Sequence, residues 1–146
     1  MKITSDVFEN NQSIPKQFTC DGGQISPALS FSDIPGNAKS LVLIMDDPDA
    51  PMGTFDHWVV YNISPKETGV AENNIPTGSF LGKNGTGKQG YIGPCPPSGI
   101  HHYHFKLYAL DTTLSFSSAP DKAEVEKVME GHIIEQAELV GLYQRS

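Results

Sequence analysis

Three apolar runs along the chain predict strands, the first two short and continuous and the third alternating. Ser40 to Met45 reads SLVLIM, a continuous apolar run that ends in Asp46-Asp47-Pro48, where a proline lacking an N–H stops further pairing. A strand buried on both faces is expected. His57 to Ile63 reads HWVVYNI, and strict alternation places His57, Val59, Tyr61 and Ile63 on one face and Trp58, Val60 and Asn62 on the other. In His101 to Leu110, HHYHFKLYAL, the odd positions His101, Tyr103, Phe105, Leu107 and Ala109 form the predicted core face. That turns His101 and Tyr103 inward and leaves His102 and His104 toward solvent.

A period closer to 3.6 holds only from Asp121 to about Gln136, where Val125, Val128, Met129 and Ile133 make an apolar stripe. Asp121 is the expected N-cap and Glu124 the second half of a capping box, while Gly131 weakens the helix locally. From Ala137, AELVGLYQ returns to a strand-like pattern, so the chain is expected to finish in the sheet. Several strands with so little helix, and no βαβ alternation, predict a mainly β sandwich rather than a doubly wound sheet. The Pro48 to Asp56 connection, PDAPMGTFD, is rich in turn formers, and Ala50-Pro51 is a candidate cis bond.

Composition narrows the class. The chain of 146 residues is one ordinary domain, 1–146, large enough to bury a core without metal or disulfide. A net charge of -7 excludes a sequence-independent grip on nucleic acid, which needs Lys and Arg to neutralise phosphates. No polybasic run, long apolar stretch or leader-like N-terminus is present, so the expected location is cytoplasmic, with no stable membrane insertion. Cys20 and Cys95 make no framework and lack CxxC spacing, and are expected as reduced thiols.

Candidate chemistry clusters in two places. Asp47-Pro48-Asp49-Ala50-Pro51 ends one strand and His57 begins the next, so carboxylates and an imidazole can share one mouth, with turn-building by the aspartates as the competing reading. The second is GYIGPCPPSGIHHYHF, Gly90 to Phe105, in which three prolines stiffen a loop whose free amides lead into a histidine-rich strand. His57, His101 and Asp47 are the only set that strand geometry lets converge on a metal, and the residue types weigh against one. GKNGTGK at Gly82 to Lys88 matches part of a phosphate-binding loop, but Gln89 stands where Ser or Thr should hold magnesium, so a glycine-rich surface loop is expected.

Taken together, DPDAP, the His57-Trp58 pair and YIGPCPPSGIHHYHFKLYAL resemble the two signature regions of the phosphatidylethanolamine-binding protein family. FTCDGGQISPAL and AEVEKVMEGHIIEQAELVGLYQR extend the resemblance over nearly the whole chain, toward the bacterial and archaeal branch often labelled Raf-kinase-inhibitor-like. The resemblance implies an antiparallel β-sandwich of a large central sheet and a smaller one, with few helices. It also implies a surface pocket for phosphate-like head groups such as phosphoethanolamine. Carried over by motif, the pocket residues are Asp47, Asp49, Pro51, His57, Gly93, Cys95, Pro96, Pro97, His101 and Tyr103.

Where many relatives read His-Arg-Tyr, this chain reads His101-His102-Tyr103, a change expected at the rim. The long C-terminal helix of eukaryotic members is missing, which leaves intact phospholipid as an open question. The expected function is therefore a binding protein for a small anionic ligand, with no cofactor and no catalytic residues. Two alternatives stand beside it: a small hydrolase or acyl-transfer enzyme using a His/Asp pair and Cys95 as nucleophile, and a regulator that inhibits a kinase or protease partner. A homodimer is left open.

Overall fold

A computed structural model describes residues 1–145. The elements run β1 (Lys2–Thr4), β2 (Gln12–Ser13), a 3-10 turn (Lys16–Phe18), β3 (Leu29–Ser32), β4 (Ser40–Asp47), β5 (Phe55–Ile63), β6 (Gly69–Val70), β7 (Phe80–Leu81), β8 (His101–Leu110), α1 (Lys122–Met129) and β9 (Ile133–Tyr143). A six-stranded sheet in the order β2-β9-β8-β4-β5-β7 packs against a three-stranded sheet, β1-β3-β6. All pairs are antiparallel except β2 with β9, which is parallel.

The pattern of β4 is borne out. Every residue of β4 is buried, through Asp46 and Asp47, because the smaller sheet covers one face and α1 the other. Between the sheets, Leu41, Leu43, Met45, Trp58, Val60, Phe105 and Leu107 form the main core. On the opposite face Val42, Ile44, Val59, Tyr61, Tyr108 and Leu110 meet Val125 and Met129 of α1. Burial on this scale supplies most of the stability, at about 25 cal/mol per Å² of apolar surface.

Two expectations of local structure are corrected. The helix stops at Met129, seven residues short of Gln136, because Gly131 adopts φ 80°, a left-handed conformation that ends the helix and turns the chain into β9. Its start is as expected: the Asp121 side chain accepts from the Glu124 N–H at 2.9 Å, and the capping box is complete. Ala50-Pro51 is trans, as is every peptide bond among the described residues.

The faces of β5 also differ from strict alternation. Register against β4 slips between Met45/Asp46 and between Leu41/Leu43, so Met45 pairs with Trp58, yet Asp46 pairs with Asp56 and Asp47 with Phe55. His57 is the extra residue of the first bulge. It therefore joins Trp58 and Val60 on the inner face instead of Val59 and Tyr61, since a bulge re-aims the side chain it inserts. At the second bulge Asn62, with φ 54°, turns to the outer face and Ile63 to the inner one. There the Asn62 side chain donates to the Leu114 carbonyl at 2.7 Å and accepts from its N–H at 2.8 Å.

Candidate functional site

The C-terminal end of β4, the bulged start of β5 and the start of β8 meet at one end of the large sheet. The loop after residue 90 closes the fourth side. They surround a cavity of about 230 Å³ lined by Asp47, Ala50, Pro51, Phe55, His57, Ile92, Gly93, Cys95, Pro97, His101 and Tyr103. Asp47, His57 and His101 are 3%, 5% and 6% exposed, so the polar groups sit at the bottom rather than on the surface.

Asp46 pairs with His104, which sets Asp47 beside Tyr103, and the Asp47 carboxylate reaches His101. His101 Nδ1 lies 2.7 Å from Asp47 Oδ2. A carboxylate only accepts, so Nδ1 carries the proton and Nε2 is the nitrogen left for a ligand. The other oxygen, Oδ1, accepts the Asp49 N–H at 2.8 Å, closing the turn that carries Pro51 into the wall. Both readings of the DPDAP motif thus hold at once: Asp47 orients a histidine and builds a turn.

His57 is fixed twice to the opposite wall. Its Nδ1 donates to the Ile92 carbonyl at 2.7 Å, and its own carbonyl accepts the Ile92 N–H at 2.9 Å. Burial pushes the imidazole below its ordinary value, against the opposing pull of the Ile92 carbonyl and of Asp47. With the proton on Nδ1, neutral His57 offers Nε2 as an acceptor. Its ring packs edge-on to Tyr103 at 5.2 Å and to Phe55 at 4.9 Å. Phe55 in turn fits because Gly85 has no Cβ, which would lie 2.5 Å from Phe55 Cε1. The glycine-rich loop thus shapes the pocket from behind and sits between β7 and β8, in no strand-to-helix turn of a nucleotide loop.

The Tyr103 hydroxyl lies between the Cys95 backbone amide and the Asp47 carboxylate. Burial first, and then the charges of Asp47 and Asp49, hold it protonated, well above the usual phenol range. Tyr103 is therefore a neutral donor and acceptor at the bottom of the cavity.

Two expected site residues lie outside the cavity lining. Asp49 stands on the rim, where Oδ2 accepts both the His102 N–H at 2.8 Å and His102 Nδ1 at 2.7 Å. Those bonds hold its carboxyl below the usual range. His102 is thus a rim residue, as its even position in β8 implies. Pro96 is buried in the wall behind the lining. Ala50, Phe55 and Ile92 line the cavity without having been expected; only Phe55, at the start of an apolar strand, carried a signal that could have found it.

The expectation of reduced thiols is overturned. Cys20 and Cys95 form a disulfide across 75 residues, and no free cysteine remains among the described residues. The two segments are brought together by tertiary packing, which spacing in the chain does not reveal. The thiol version of an acyl-transfer or hydrolase site falls with it, since Cys95 holds no nucleophile in this state.

Residues 4–144 match the family model described as phosphatidylethanolamine-binding protein. A UPF0098 protein of Methanothermobacter thermautotrophicus is 49% identical over 99% of each chain. A UPF0098 protein of Pyrococcus horikoshii is 51% identical over 99% of this chain and 77% of its own. Among solved structures, a putative phosphatidylethanolamine-binding protein homologue from Chlamydia trachomatis superposes with a TM-score of 0.95 at 45% identity, covering 99% of this chain and 97% of that one. YbcL of Escherichia coli, described as a member of the mammalian family, gives 0.92 at 30% identity, covering 99% and 98%. The sandwich expected from the sequence is that of these structures. No helix among the described residues is long and apolar enough to cross a membrane.

Proposed function

The chain belongs to the phosphatidylethanolamine-binding protein family, and from that premise we propose that it is a binding protein for a small phosphate-type head group that carries a proton of its own. The single observation behind this reading is the hydrogen-bonding inventory of the cavity. His57 Nδ1 is spent on Ile92 and His101 Nδ1 on Asp47, so the imidazoles meet a ligand through Nε2. Neutral His57 accepts at Nε2, and the nearby Asp47 carboxylate repels a bare dianion. A monoprotonated phosphate, or a phosphate bearing an ammonium group, supplies the donor that this site lacks. Charge-assisted bonds formed in this way are worth about 1.5 to 3 kcal/mol each.

Size points the same way. At about 230 Å³ the cavity matches the size of a head group such as phosphoethanolamine. Calorimetric titration with inorganic phosphate, phosphoethanolamine and ethanolamine tests the reading. Saturable heat with the two phosphates and none with ethanolamine is expected; heat with ethanolamine alone would sink it.

A further inference from the structure

The disulfide lies in the pocket wall itself. That wall runs from Tyr91 to Pro97, and its near end is well anchored: the Tyr91 hydroxyl donates to the Phe18 carbonyl at 2.7 Å, the Gly93 N–H to Gln24 Oε1 at 3.0 Å, and the Cys20 N–H to the Pro94 carbonyl at 3.0 Å. The far end is different. Pro96 and Pro97 have no N–H to donate, Pro97 to Ile100 are exposed, and strand pairing resumes only where His101 meets Tyr143. Between the anchored part and β8, the Cys20–Cys95 bond is the covalent tie.

Its two ends are unequally held. The Cys20 turn is braced on both sides, with Thr19 Oγ1 donating to the Lys16 carbonyl at 2.8 Å and Asp21 accepting from the Tyr143 hydroxyl at 2.7 Å and from Arg145 at 2.9 Å. Cys95 is exposed at the mouth and lines the same cavity as Asp47, His101 and Tyr103. A shift of Cys95 therefore reaches the buried groups, whereas the Cys20 side stays where it is.

We propose that the Cys20–Cys95 disulfide is a redox latch on this pocket: closed, it holds the wall against Tyr103; opened by a dithiol reductant, it frees residues 95–100 and weakens binding of the head group. The proposal rests on the ligand reading above. In the opening step a thiolate of the reductant attacks the exposed Cys95 Sγ, the Sγ–Sγ bond breaks, and Cys20 leaves as a thiolate that takes up a proton. The reductant's second thiol, losing its proton, then attacks the mixed disulfide and expels Cys95, which is protonated in turn. Two electrons pass from the dithiol to the protein, and the reductant departs as a disulfide.

The test compares the full chain oxidised, reduced with a dithiol, and as the Cys20→Ser/Cys95→Ser double variant. Inorganic phosphate is the probe, and affinity and backbone order are both read by NMR. Reduction is expected to weaken phosphate binding by about tenfold or more, reversibly on reoxidation. Order parameters at Cys95, Ser98 and Gly99 should fall below about 0.6 while Val60 and Phe105 stay near 0.85. The double variant should match the reduced protein and ignore oxidants. Equal affinity in the two redox states would overturn the latch, as would a loss of order spread through the whole sheet. If even the oxidised protein ignores phosphate, the ligand reading fails, and the order of residues 95–100 alone decides the latch: unchanged order overturns it.

Discussion

His101 and Asp47 are joined side chain to side chain at 2.7 Å, both nearly inaccessible, at the point where β4 ends and β8 begins. The pair fixes the tautomer of one imidazole and the end of one strand together. Removing one partner of such a pair strands the other in a low-dielectric site. Asp47→Ala is expected to cost about 3 kcal/mol, read from urea unfolding, together with all phosphate binding.

His57 makes stability depend on pH in a defined direction. Its folded pKa lies below its ordinary 6.5, so below that value the unfolded chain binds more protons than the native one. The stabilising contribution is complete above pH 6.5 and drains away as pH falls through the depressed value. Its slope is at most about 1.4 kcal/mol per pH unit. Unfolding curves collected from pH 8 to 5 should show this slope in the wild type and lose it in His57→Gln.

Ligand affinity should run the other way. A phosphomonoester dianion takes up one proton near pH 6, and the proton-bearing form is the one the proposed site accepts. Binding of a phosphomonoester without an ammonium group, such as methyl phosphate, is therefore expected to weaken steadily between pH 6 and 8, followed by calorimetry at constant ionic strength. Tighter binding at pH 8 would mean that the site takes the dianion.

Gly93 has no room for a side chain. A Cβ there would lie 2.6 Å from the Phe18 carbonyl oxygen, backbone that cannot give way. Gly93→Ala should destabilise by about 1 to 3 kcal/mol, by thermal unfolding, and should move the Ile92 carbonyl away from His57.

The rim pair Asp49 and His102 is a milder case. With side chains 40% and 50% exposed, its bonds are screened by water, and Asp49→Ala should change stability by less than about 1 kcal/mol. The effect expected is a loosened 48–54 turn and weaker ligand binding, seen as a larger change in affinity than in melting temperature.

Much of this site was legible in the chain. The alternation of β8 placed His101 and Tyr103 inside and His102 outside, because the first half of the strand has one buried face and no other register open to it. The DPDAP turn and the start of β5 were readable as one mouth. His57 reached that mouth by a route that its own sequence did not disclose: alternation put it with Val59 and Tyr61, and only the bulge against Met45 and Asp46 turned it inward. Bulges belong to a pair of strands, so one strand's pattern cannot announce them. The same holds for Ile92, whose carbonyl matters because of where β5 lies, and for Cys20 with Cys95, which 75 residues of chain separate.

The most direct measurement is the imidazole spectrum of the protein near pH 6 during addition of inorganic phosphate. His57 and His101 are expected to shift together and to saturate, while His132, paired with Asp111 outside the cavity, stays unmoved. Shifts at His132 with none at His57 and His101, or no saturable shift at all, would contradict the assignment of this cavity as the binding site.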